Sequence, residues 1–475
     1  MTNRPFWVAV SSHWVSLTGL ALALTALISW MFVLPIHIRG HVDNPYIGIV
    51  VFIVIPLIFF SGLALIPLGI FLGWRRIKKG MKQAITDPKL ALRRLAILVG
   101  SATVLNVIVG TQFTYRAVEQ MESVQFCGQT CHVMTPEFSA FQNSPHSRLQ
   151  CVDCHVSPGA GGWLASKVAG SRQLMGVLLN NYPRPIPSAL ESNKLVPSRQ
   201  TCEQCHWPDK FSGARLVVRL KYSDDEGNTE SQTVLVMLLG GNQVRGIHGS
   251  HFGNGAKIRF AAADKKRQNI PWVEYQNSVT GDRHEYLAAD TPPESVKSLP
   301  VYEMQCVDCH NRPTHTFELP ERAVDRALAL GAIPVSLPYF KKQAVQILKA
   351  QYASNAEAVA KIPATLTAYY QKNHGPVFDQ RLREIEDAGA ALALIYNRNV
   401  FPDLKVTWGT YPNNLGHTDF PGCFRCHDER KQSGSNNTLT QDCSACHEML
   451  ATEETSSKVL ETLGLAERLK ELKKQ

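Results

Sequence analysis

Three stretches near the amino terminus break the alternation of apolar and polar positions found elsewhere in the chain. After Thr18, residues 16–38 carry only Thr25, Ser29 and His37 as polar side chains, so as a helix they cross a hydrocarbon core of ~30 Å. Residues 46–74 are longer; Pro56 and Pro67 are tolerable kinks there, and the excess length implies tilt, not a second crossing. Residues 95–113 form a third span interrupted by Ser101, Thr103 and Asn106, with a buried amphipathic helix as its alternative reading. Downstream, 214–222, 233–239, 257–262 and 272–275, with the turn Asp224-Asp-Glu-Gly-Asn228, read as a small β-rich insertion. The pattern is helical after His315 through Asn397, including 344–350 and 381–396.

Charge adds a direction to these spans. The formal net charge is +9, yet between residues 75 and 94 Arg75, Arg76, Lys78, Lys79, Lys82, Lys89, Arg93 and Arg94 stand against Asp87 alone, so +7 of it sits in one loop. A global basic surface is excluded, and with it nucleic acid as a partner. The positive-inside rule puts that loop and the amino terminus in the cytoplasm and exports everything after residue 113. Pro35, His37 and Arg39 stand where a small-residue cleavage site would be needed, so the first span stays as an anchor.

All 12 cysteines lie in the exported part, in six close pairs. Cys151-Val-Asp-Cys154-His155, Cys202-Glu-Gln-Cys205-His206, Cys306-Val-Asp-Cys309-His310, Cys423-Phe-Arg-Cys426-His427 and Cys443-Ser-Ala-Cys446-His447 repeat one pattern. Two thiols at this spacing reach the two vinyl groups of one haem, and the adjacent histidine ligates the iron. Cys127-Gly-Gln-Thr-Cys131-His132 has one residue more, and its longer loop still spans the vinyls. Zinc sites need no histidine after the second cysteine, and disulfides between such close neighbours are strained. Covalent c-type haem, six per chain, is the cofactor expected. The fold class is then a membrane-anchored multihaem cytochrome c, mostly α and irregular around the haems, with three N-terminal transmembrane helices and the β-rich insertion.

Of the remaining histidines, His13 lies on the cytoplasmic side and His37 and His41 in the short outer loop. His146, His248, His251, His315 and His417 are expected as second iron ligands, whereas His284 and His374 sit in polar or helical contexts away from any cysteine pair. Met134, two residues after His132, is expected on the first iron, where a thioether raises the potential; Met449, at the same spacing after His447, is expected as packing. Irons with two protein ligands leave no position for a substrate, which favours electron transfer over catalysis.

Residues 95–193, with the pairs at Cys202 and Cys306 and the run Cys309-His310-Asn-Arg-Pro-Thr-His315, resemble the NapC/NirT/NrfH quinol dehydrogenases. That resemblance implies a bacterial inner-membrane protein with its haems in the periplasm, taking electrons from menaquinol or ubiquinol and feeding periplasmic cytochromes or an outer-membrane redox partner. It implies Met134 on the first iron and His146 and His315 as distal ligands of neighbouring haems. It also places a lysine and an acidic residue at the quinol pocket; here the run is Lys167-Val-Ala-Gly-Ser-Arg-Gln173, with Gln173 where the carboxylate belongs. Quinol then docks near the first haem, between Met134 and Lys167. The family form has one membrane helix and four haems, so two helices, the insertion and two C-terminal haems are additions, resembling inner-membrane cytochromes of metal-respiring bacteria. The expected divisions are 1–113 transmembrane, 114–212 with haems 1–3, 213–300 insertion, 301–400 haem 4 and helices, 401–450 two haems and 451–475 charged tail. The competing function is a reductase of a nitrogen or sulfur oxyanion, which requires one open haem site.

Overall fold

The computed structural model describes residues 6–11, 13–39, 54–78, 88–192, 195–207, 210–211, 213–241, 246–253, 255–434 and 437–472. His41, the start of the second span at 46–53, much of the basic loop and the last three residues of the tail lie outside the described residues. The chain divides into two compact units, Met1–His132 with Lys167–Asn180, and Val133–Ser166 with Asn181–Gln475.

The first unit holds α1 (Trp14–Arg39), α2 (Ile55–Lys78) and α3 (Pro88–Glu122), each long and apolar enough to cross a membrane. Lipid offers no hydrophobic gain for helix association, so α1 and α2 meet through small residues. A Cβ on Gly19 would lie 2.7 Å from the Gly62 carbonyl oxygen, and one on Gly62 would lie 2.8 Å from that of Gly19. The polar interruption of the third span has a structural purpose: Asn106 of α3 donates to the Thr25 hydroxyl of α1 at 3.2 Å. α3 overruns the expected end at 113 by nine residues, because no breaker intervenes and Arg116 pairs with Glu119 at i,i+3. Residues 167–178 of α4 (Ala160–Leu178) also belong to this unit.

The second unit has a helical core and two sheets. α5 (Pro320–Ala329), α6 (Phe340–Lys349), α7 (Asn355–Asn373) and α8 (Gly375–Asn399) bury Ile333, Phe340, Ile362, Leu366 and Leu392 among them. The Ser354 hydroxyl caps α7 by accepting from Glu357 N–H at 3.1 Å, and Pro363 packs against Gly389 of α8, where a side chain would not fit. Buried Asp325 of α5 pairs with buried Lys341 of α6 and accepts from the Tyr222 N–H at 3.1 Å, which fastens the first strand to the helices.

β1 (Ala214–Tyr222) and β2 (Glu230–Leu238) form a hairpin, and β3 (Ala256–Ala261), β4 (Trp272–Asn277), β5 (Arg283–Ala288) and β6 (Val301–Glu303) follow. β7 (Lys431–Gln432) and β8 (His447–Glu454) come from the cysteine-bearing C-terminal part. The sheet orders are β1-β2-β8 and β6-β3-β4-β5-β7, so each sheet is completed by a strand from beyond residue 430. β8 starts on His447 itself, which puts the last cysteine motif at the mouth of a sheet edge. β5 and β6 carry little apolar alternation, and this is why the sequence pattern passes over them.

Candidate haem sites

Each standard motif is one helical turn, that of Cys443 closing a residue earlier than the others, by Cys446 N–H on Cys443 O at 3.1 Å. His206 N–H donates to Cys202 O at 2.7 Å, His310 N–H to Cys306 O at 2.8 Å and His427 N–H to Cys423 O at 3.1 Å. In such a turn residues i, i+3 and i+4 share a face, so both sulfurs and the imidazole address the same porphyrin. Asp153 and Asp308 close two of these turns by capping, each accepting from the N–H of the preceding glutamine, Gln150 and Gln305, at 2.8 Å. Phe126–Thr130 of the longer motif is a π-helical turn. The wider turn takes up the extra residue of the spacer, and Cys131 follows it in extended conformation.

The described residues contain five His–His ring pairs, and each joins one motif histidine to one of the others. His155 faces His315 at 6.2 Å between centroids, His206 faces His146 at 6.0 Å and His310 faces His248 at 6.4 Å. His427 faces His251 at 5.9 Å and His447 faces His417 at 6.1 Å. Two imidazoles on opposite sides of one metal, with bonds of ~2 Å to each nitrogen, have centroids ~6 Å apart. The five spacings all fall between 5.9 and 6.4 Å. Carbonyls can only accept, so Ile247 O, Glu137 O and Thr440 O fix the proton on Nδ1 of His251, His315 and His427, at 2.6, 3.0 and 3.0 Å. Nε2 is thereby left free to bind metal. Burial holds the pKa of His155, His251, His310 and His315 below the ordinary value, favouring the neutral form that ligates. His284 lies between Tyr275 and Tyr286, and His374 meets the Tyr369 hydroxyl at 3.2 Å.

A cavity of about 2620 Å³ runs through the second unit, lined by Cys154, both cysteines of the four later motifs and the rings of His146, His248, His251 and His417. Pockets for one small ligand span ~300–1,000 Å³, so this space suits several large flat groups. No cluster of three or more metal-binding side chains exists among the described residues. The thiols, which stand for the thioether sulfurs of attached haem, report which motifs are neighbours. Burial pushes the Cys154 thiol up, with Cys202 and Cys205 adding to the rise. Burial and Cys202 raise Cys306; burial pushes Cys309 up to about 12, opposed by Arg425 and reinforced by Cys423 and Cys426. Cys423 likewise adds to the burial-driven rise of Cys446. The motifs at Cys151, Cys202, Cys306, Cys423 and Cys443 therefore follow one another in space in chain order.

In the first unit, Lys167 Nζ lies 3.1 Å from Glu122 Oε1, with side-chain exposures of 18% and 29%. Six helical residues separate Lys167 from exposed Gln173, a turn of roughly 240° that sets the two on different faces of α4. The carboxylate beside Lys167 is thus Glu122, on the last turn of α3 and five residues before Cys127. The sequence signal for Glu122 is an acid at the interfacial end of a membrane helix, upstream of the cysteine motif and not in the run Lys167–Gln173. Met134 ends a 3-10 turn after His132 and is exposed, and Met449 lies on β8, also exposed.

Three apolar spans, cysteine-pair turns followed by histidine and paired imidazoles across a common cavity define a membrane-anchored multihaem c-type cytochrome. The NapC/NirT cytochrome c family, N-terminal region, matches residues 91–196. The chain is also 38% identical over 451 residues to the cytochrome c-type protein ImcH of Geobacter sulfurreducens, spanning 92% of this chain and 87% of that protein. It belongs to the NapC/NirT cytochrome c family. No solved structure matches it.

Proposed function

We propose that this chain is an inner-membrane quinol dehydrogenase that passes electrons from menaquinol or ubiquinol through six c-type haems to periplasmic acceptors. The observation that carries the reading is the set of five imidazole pairs beside thiols that neighbour one another in a single row. Each of the five pairs would supply two imidazoles to one iron, which favours a conduit over an oxyanion reductase with an open iron. When bound, the haems supply one-electron carriers; the residues set ligation, spacing and surroundings. His155, His206, His310, His427 and His447 would hold the irons of their own motifs, and His315, His146, His248, His251 and His417, in that order, would be their second ligands. His132 serves the first haem, with Met134 as its second ligand.

Quinol oxidation releases two electrons and two protons. Lys167 donates a hydrogen bond to the quinol oxygen, and the Glu122 carboxylate accepts the proton that oxygen gives up, at the end of α3 that the positive-inside rule turns to the periplasm. Lys167→Ala and Glu122→Gln test this site. Both are expected to lower reduction by a menaquinol analogue at least tenfold, while dithionite still reduces every haem. Full quinol-driven rates in both variants overturn the site; if the pair only ties α3 to α4, dithionite-reducible haem falls along with the quinol rate.

A further inference from the structure

The middle residues of two cysteine motifs meet in a buried polar knot. Asp308, between Cys306 and Cys309, accepts from Arg267 at 2.6 Å, and the pair is almost wholly buried. Arg425, between Cys423 and Cys426 and only 8% exposed, donates to three main-chain carbonyls: Gly422 at 2.9 Å, Arg267 at 2.8 Å and Asp308 at 2.6 Å. Asn414 donates to the same Asp308 carbonyl at 3.1 Å, and its N–H is held by Asn311, the residue after His310, at 2.8 Å. The guanidinium carbon of Arg267 lies over the Tyr302 ring, 3.8 Å from its centroid. Both guanidinium groups bind Asp308, but only Arg267 takes its carboxylate, Arg425 taking its main-chain carbonyl. Arg425 is left as a buried cation satisfied by carbonyl dipoles.

Such a charge has two consequences. A guanidinium stays protonated, and its fork fixes the turn at Cys423 against the turn at Cys306. In a low-dielectric interior it also favours any neighbouring centre in the state that has gained an electron, since Coulomb energies grow as the dielectric falls. Arg425 acts electrostatically on both Cys309 and Cys426, so its field reaches the attachment points of both motifs.

Resting on the six-haem reading above, we propose that Arg425, with Arg267 and Asp308, is a positioning and potential-setting clamp for the fourth and fifth haems. The clamp sits where the C-terminal extension joins the quinol-dehydrogenase half. It makes that junction an electron sink, drawing charge off the quinol side toward the last two motifs.

A sign test separates this from a purely structural knot. Spectroelectrochemical titration of the purified full-length protein is run on Arg425→Gln, Asp308→Asn and Arg425→Lys, with haem counted by pyridine haemochrome. Arg425→Gln removes the lone cation, and two of the six haem components are expected to fall by at least tenfold in reduction equilibrium, about 59 mV for one electron. Asp308→Asn frees a second positive charge, and the same two components are expected to rise. Arg425→Lys keeps the charge, and the potentials are expected to stay close to those of the parent. Shifts of one sign in both charge-changing variants, or none in either, overturn the proposal. If Arg425→Gln loses haem, Asp308→Asn and Arg267→Gln decide it, one expected up and the other down. Failure of the quinol site leaves this test intact, because dithionite and electrode mediators deliver the electrons.

Discussion

An imidazole that donates through Nδ1 can offer only Nε2 to a metal, and His251, His315 and His427 are fixed in that state by main-chain carbonyls. The angle between facing rings carries further information. His248/His310 and His417/His447 are inclined by 16° and 24°, whereas His146/His206 and His251/His427 are inclined by 78° and 70°. Parallel ligand planes split the iron dπ orbitals and perpendicular ones leave them nearly degenerate, so the ferric protein is expected to show two classes of low-spin electron paramagnetic resonance signal. His248→Ala should remove one component of the near-parallel class, create one high-spin centre that binds carbon monoxide when reduced, and leave the haem count unchanged. His284→Ala and His374→Ala should change neither spectrum nor count, since those rings serve tyrosine contacts. An unaltered spectrum in His248→Ala would remove His248 from the ligand set. The second ring of each pair is legible in the sequence: His146, His248, His251, His315 and His417 stand out because each lies near a cysteine motif or a glycine-rich turn. Which motif each one faces is not, because ring partners such as His251 and His427 are separated by an excursion through a sheet that sequence spacing does not encode.

Among the elements, the attachment turns show how a fixed chemical demand selects backbone geometry. Two sulfurs must stack at vinyl spacing, and a spacer of two residues meets this with an α or 3-10 turn, as at Cys151–His155 and Cys202–Gln204. With three residues the same demand is met by the π turn Phe126–Thr130. Deleting Gln129 should let that turn close with ordinary helical geometry, and pyridine haemochrome should still return six haems per chain. Deleting Glu203 from the standard motif at Cys202 should cost one haem, because no turn with a one-residue spacer stacks the sulfurs. Five haems in the Gln129 deletion would show that the wide turn is required for its own sake. Gly422 makes the related point for a loop: a Cβ there would overlap the Gly416 carbonyl that accepts the Cys423 N–H at 2.9 Å. The long apolar elements were readable because lipid imposes composition as well as period, whereas β7 and β8 were not, since β7 has only two residues, β8 opens on the motif histidine His447, and both take strand partners 140 or more residues away.

At the scale of the molecule, the chain-order succession of motifs makes a claim about connectivity. Cys154 neighbours Cys202 and Cys205, Cys306 neighbours Cys202, Cys309 neighbours Cys423 and Cys426, and Cys446 neighbours Cys423. A row of this kind without a bypass would let the position of a missing haem decide how much of the protein quinol can reach, since tunnelling decays steeply with distance. In Cys202→Ala/Cys205→Ala five haems remain, and quinol is expected to reduce only those on the membrane side of the gap within the time in which the parent is fully reduced. Cys443→Ala/Cys446→Ala also leaves five, yet all five should be reduced by quinol at the parental rate, because the gap lies beyond them. Dithionite, which enters anywhere, should reduce both variants completely and so certifies that the remaining haems are intact. Stopped-flow absorbance with a menaquinol analogue separates the two. Full reduction of the Cys202/Cys205 variant at the parental rate would mean that a second route joins the ends, and the field of Arg425 at the fourth and fifth motifs would then tune a branch in place of the trunk.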